Sequence, residues 1–145
     1  ANPDGVVPTP TTGSPAAAPR HPMRQAFRKN DLRNWTPARP MLLCGGHGDP
    51  TVFYSLNTQV MQGYWSAPSP AAAHAGLVSV LDVDSAPGAN DPFAAVKMGF
   101  ANAKAALATT GGANAVVQAY HGNLVPPFCN VAARAYFLQI LASGA

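Results

Sequence analysis

Short unbroken apolar runs alternate along the chain with longer stretches in which apolar residues recur every three or four positions. The run Met41-Leu42-Leu43-Cys44, bounded by Pro40 and by Gly45-Gly46, predicts a central strand buried on both faces. A second run, Leu77-Val78-Ser79-Val80-Leu81-Asp82-Val83, is rich in β-branched residues and predicts the next strand. Between them Phe53, Leu56, Val60 and Tyr64 fall at helical spacing, so a helix is expected over residues 52–64, ended by Gly63 and the prolines at 68 and 70. Strand, helix and strand at this separation make a parallel pair with a right-handed crossover the economical topology, an α/β arrangement.

The flanks follow the same logic. His21-Pro22 opens a helix to about residue 32, with Met23, Phe27 and Leu32 as a narrow stripe and Arg24, Arg28, Lys29 and Arg33 as a solvated face. Trp35-Thr36-Pro37 breaks it before the first strand. Asp91-Pro92 is a helix start, and Phe93, Val96, Phe100, Ala103 and Leu107 continue one face to a stop at Gly111-Gly112. The last segment, 127–141, predicts a helix that packs Phe128, Val131, Ala135, Leu138 and Leu141 on the sheet. Residues 1–20 hold five prolines among small residues and read as an arm, lid or linker.

Composition narrows the function. Charged residues are 10% of the 145, against about 25% in a typical soluble domain, so part of the surface is expected to be covered by other protein. Net charge is +3, and six of the nine lysines and arginines lie between Arg20 and Arg39, too local for a nucleic-acid face. No uninterrupted apolar run reaches the ~20 residues of a membrane span, so no transmembrane segment is expected. The N-terminus lacks a basic and then apolar leader, which could have been removed or lie upstream.

Asp49 follows the first strand in Gly46-His47-Gly48-Asp49-Pro50-Thr51-Val52. The loop beyond a strand's carboxyl end is where open α/β sheets display functional groups. The competing reading makes Asp49 a helix cap, with Pro50 at the first helical position. The G-x-x-D-x-x-V form after an apolar strand resembles the acid-bearing turn of α/β-hydrolases, and Tyr120-His121-Gly122 before an apolar helix resembles that family's histidine loop and closing helix. The resemblance covers the chain from about residue 40 and implies that residues 21–145 are the C-terminal part of an α/β-hydrolase sheet, incomplete alone, with Asp49 and His121 as the acid and histidine of a catalytic triad. In such a triad the acid fixes the imidazole's tautomer, and the other ring nitrogen takes the nucleophile's proton.

The nucleophile is not legible. No serine stands in G-x-S-x-G, and Ser14, Ser66 and Ser69 lie in stretches rich in proline or alanine with no such glycine elbow. The resemblance therefore implies a partner, the N-terminal portion of the same serine hydrolase, acting on an ester or related acyl bond with no cofactor or metal. Lipase, polyester depolymerase and small-ester esterase activities are equally compatible with it. The alternative is a non-catalytic α/β interaction domain in which Asp49 is only a cap. A site of His47, Asp49 and His121 around a metal is a weaker thought, since these residues share no helical spacing. His21 and His74 read as exposed and silent.

The chain departs from the resembled pattern in placing a whole helix, about residues 91–110, before the histidine. Either that helix is an insertion, or Ala115-Val116-Val117 is the strand leading to His121; three apolar residues make a poor central strand, which favours the insertion. If the acid and histidine loops meet as the resemblance requires, Cys44 and Cys129 come close enough to bridge, the alternative being two buried thiols. A bridge would imply a periplasmic or secreted protein.

Overall fold

The computed structural model describes residues 19–30, 37–66 (the Ser66 side chain excepted) and 76–144. The expected arm lies outside these residues apart from Pro19 and Arg20, as do Ser14, Leu32, Trp35, Ser69 and His74. The described residues form a small α/β unit, with two parallel strands flanked by helices and a long helical stretch at the C-terminal end.

Strands β1 (Met41–Gly45) and β2 (Val78–Asp82) pair in parallel, with Met41 opposite Val78 and Gly45 opposite Asp82. The Val83 N–H extends the ladder to the Gly45 carbonyl at 2.9 Å. A parallel pair needs a crossover, and α2 (Thr58–Ser66), which packs on both strands, lies within it. This register brings the loops after both strands to the same edge. The expected full burial of β1 is not met: all five of its residues are half-buried. The reason is that β2 is its sole strand neighbour among the described residues, so each strand keeps an unpaired edge.

The helices differ from expectation mainly at their ends. Helix α1 (Pro22–Lys29) opens as expected, with Pro22 in its first turn and the His21 ring accepting the Met23 N–H at 3.3 Å, so His21 is exposed but acts as a cap. Its Met23 and Phe27 stay exposed. Helix α2 starts six residues later than expected. Asp49 takes the Thr51 and Val52 N–H groups, and Asn57 turns its side-chain amide back to the Phe53 carbonyl, so local side-chain bonds hold the preceding residues in turns.

Helix α3 (Ala94–Ala119) begins after Asp91, whose carboxylate accepts the Phe93 N–H at 2.8 Å and pairs with Lys97 at 2.6 Å. It breaks at Gly112, with φ 73° and ψ −176°, a backbone that glycine alone adopts readily. The break falls at the stop expected from Gly111-Gly112, but helix resumes beyond it, so Ala115-Val116-Val117 is helical and not a strand. A π-helical turn, Tyr120–Leu124, then joins α3 to α4 (Val125–Ser143). Pro126 and Pro127 have no N–H to return to the preceding turn, and the Val125 N–H reaches back to the Tyr120 carbonyl instead.

The core joins β2 and its loop (Leu81, Val83) to Phe100 of α3, Tyr120 and Leu124 of the π-turn, and Val125 and Ala132 of α4. Phe100 meets Tyr120 and Phe128 edge to face at centroid distances of 5.7 and 5.6 Å. The face of α4 that packs is Val125, Phe128, Cys129 and Ala132, whereas Val131, Ala135, Leu138 and Leu141, expected to pack, are exposed. Cys44 of β1 and Cys129 of α4 are joined by a disulfide with their Cα atoms 5.7 Å apart. The Tyr136 hydroxyl adds a long bond, 3.4 Å, to the Met41 carbonyl. By length and composition alone the helical run Ala94–Ser143 could cross a membrane, although no unbroken apolar run in the sequence marks it.

Candidate active site

The aligned carboxyl ends of β1 and β2 carry the acidic residues. Asp49 sits in a tight turn closed by its own N–H to the Gly46 carbonyl at 3.1 Å. Its carboxylate is divided between two tasks. Oδ1 accepts the Thr51 and Val52 N–H groups at 2.8 and 2.9 Å, and Oδ2 lies 2.8 Å from Nδ1 of His121, 72 residues away in sequence. Burial to 6% exposure opposes ionisation of Asp49. The Val52 N–H, His121 and the Thr51 N–H together outweigh that, and hold the carboxyl below its ordinary value. An ionised carboxylate can only accept, so Nδ1 of His121 carries the proton, which in the neutral ring leaves Nε2 as the basic nitrogen.

His121 lies in the π-turn, not in the loop expected for it. Its ring is 49% exposed while Asp49 is buried beneath it, so a reactant can reach the imidazole from solvent. The two residues expected to pair do so. The cap reading of Asp49 is also partly met, although the residues it caps form a turn, with α2 starting only at Thr58.

A second set of polar side chains surrounds this pair, and sequence reasoning did not find it. Asp84, 7% exposed, accepts the Tyr120 hydroxyl at 2.5 Å and the Lys104 ammonium at 2.7 and 2.8 Å. The Tyr120 oxygen in turn accepts the Gly48 N–H at 3.1 Å. Burial first, then the hydrogen bond to Asp84 and that carboxylate's charge, push the phenol's pKa up, so Tyr120 stays protonated and donates. His47 turns away from Asp49: its backbone N–H and Nδ1 bond Asp82 at 3.1 and 2.8 Å. The imagined metal triplet of His47, Asp49 and His121 is thus split between different carboxylates, and no metal-binding cluster gathers among the described residues.

The spacing Gly46-x-Gly48 was the available signal for Tyr120. A Cβ at Gly46 would stand 2.6 Å from the Tyr120 oxygen, and one at Gly48 would stand 3.0 Å from it and 2.9 Å from Asp84 Oδ2. The glycines are there because a phenol and a carboxylate occupy the space a side chain would fill.

Among the described residues no serine hydroxyl bonds the His121 ring; those of Ser85 and Ser143 bond the carbonyls of Asp82 and Ile140. Compared with known proteins, the chain matches no family model, no curated protein and no solved structure.

Proposed function

We propose that this chain supplies the acid and histidine of a Ser-His-Asp triad, as the C-terminal part of an α/β-hydrolase that cleaves ester or related acyl bonds. The observation that carries the reading is the 2.8 Å bond between buried Asp49 and half-exposed His121, made at the carboxyl edge of a parallel sheet by residues 72 positions apart. Asp49 fixes the tautomer and stabilises the imidazolium. Nε2 of His121 takes the proton of a serine as that serine attacks the acyl carbon, then returns it to the leaving alcohol, so the acyl-enzyme forms with protons balanced.

The serine and the oxyanion-binding amides come from the N-terminal portion of the enzyme, whose strands extend this sheet at an unpaired edge. The Cys44–Cys129 disulfide supports a periplasmic or secreted setting. The cap reading accounts for Oδ1 of Asp49 but gives no reason for Oδ2 to meet an exposed imidazole.

Labelling the native protein with a fluorophosphonate, a probe that captures activated serines, tests this. Label is expected on a serine outside this chain, and His121→Ala should lower p-nitrophenyl ester turnover by a factor on the order of 10⁴ or more. Turnover that survives His121→Ala would overturn the proposal.

A further inference from the structure

Tyr120 is linked to each member of the Asp49–His121 pair through a chain neighbour. It is the chain neighbour of His121, and its oxygen holds the N–H of Gly48, the chain neighbour of Asp49. It is also fixed at every end. The ring is 2% exposed and braced edge to face by Phe100, while the hydroxyl is seated on Asp84, whose charge is balanced by Lys104 from α3. Gly46 and Gly48 have given up side chains to admit it. A capping role for Asp49 alone would need none of this, because the Thr51 and Val52 N–H groups lie within three residues of the carboxylate. What does need it is a carboxylate that must meet a ring arriving from another element within hydrogen-bond distance.

We infer that Tyr120, seated on Asp84 and Lys104, is the positioning residue that sets the Asp49 loop against His121. The inference rests on the acid-and-histidine reading of the site. It assigns Asp84 and Lys104 a task at the triad although neither bonds Asp49 or His121: they keep the phenol oxygen turned toward Gly48. Removing the hydroxyl leaves the Gly48 N–H without its acceptor and Asp84 with Lys104 and, at 4.0 Å, the His47 ring, so the acid turn is freed to drift while the core contacts of the ring remain.

The test is proton NMR of the native protein, labelled with ¹⁵N, following the Nδ1 proton of His121 and its exchange with water. In the wild type this proton should be protected and should lose its protection in Asp49→Asn. In Tyr120→Phe its exchange should quicken about tenfold, the factor expected when a hydrogen bond to a charged network is lost. Ala132→Gly, a core change on α4 away from the loop, controls for stability and should leave the exchange unchanged at a matching urea midpoint. If Tyr120→Phe loses its amide dispersion, Asp84→Asn decides by the same readout.

Unchanged exchange in Tyr120→Phe, with protection lost in Asp49→Asn, overturns the positioning role and leaves the acid–histidine pair standing. Equal acceleration by Ala132→Gly makes Tyr120 merely structural. A wild-type proton indifferent to Asp49→Asn removes the pair itself, and the positioning role with it.

Discussion

Gly46 and Gly48 show most directly how single residues shape this site. Neither has a left-handed backbone, so their role is space and not conformational freedom. Gly46→Ala should cost about 1–3 kcal/mol in urea unfolding, the usual penalty for forcing a group into a filled site. An unchanged midpoint would mean that the Tyr120 phenol yields freely. Asp49 carries a different consequence. Because it ionises more readily folded than unfolded, its charge stabilises the fold at every pH above the unfolded carboxyl's value of about 3.9, and that stabilisation is lost as pH falls through the lower folded value. Asp49→Asn should therefore be less stable than wild type at pH 7, and the gap should close in acid. A gap that persists unchanged at pH 2 would mean the carboxylate's charge is not what stabilises the turn.

The elements are tied by one covalent link and one irregular turn. The disulfide spans 85 residues and fastens α4 to β1, the strand that leads to the acid, on the side of the molecule where the π-turn delivers His121. In the chain-entropy picture a loop of that length is worth about 4–5 kcal/mol. Reduction should lower stability by that order and loosen the helix bearing on His121. Thiol counting on the denatured, unreduced protein should find no free thiol, and two would refute the bridge. The π-turn has its origin in Pro126 and Pro127, which deny the ordinary ladder two donors just where His121 must meet Asp49.

Considered whole, the described unit buries little of what it could. Val131, Leu138 and Leu141 are exposed on α4, Leu141 at 75%, as are Val117 and Met98 on α3, and both strands have an open edge. A parallel sheet is ordinarily covered on both faces, and open edges are templates for association. The isolated chain should self-associate in sedimentation velocity and bind a hydrophobic dye, and the N-terminal portion of the proposed hydrolase, added in trans, should suppress both and restore ester turnover. A monodisperse chain that binds no dye and unfolds cooperatively alone would sink the proposal of a shared sheet.

Local chemistry was enough to determine β1, β2, the start of α1, the Phe93-to-Leu107 face of α3 and the break at its glycines, because apolar period, proline and glycine act over a few residues. The expected bridge and the Asp49–His121 pair also stand, though their expectation came from likeness to a family and not from local pattern. Tertiary structure alone decided three things. One was which side of α4 packs: its apolar residues extend round the helix, so the disulfide and Phe100, not the spacing, turn Phe128 and Ala132 inward. Another was the half-burial of β1, which depends on how many strands lie beside it. The third was the seat of Tyr120 on Asp84, a contact between residues 36 apart that no local period encodes and that shows in the sequence only as two glycines where side chains are missing.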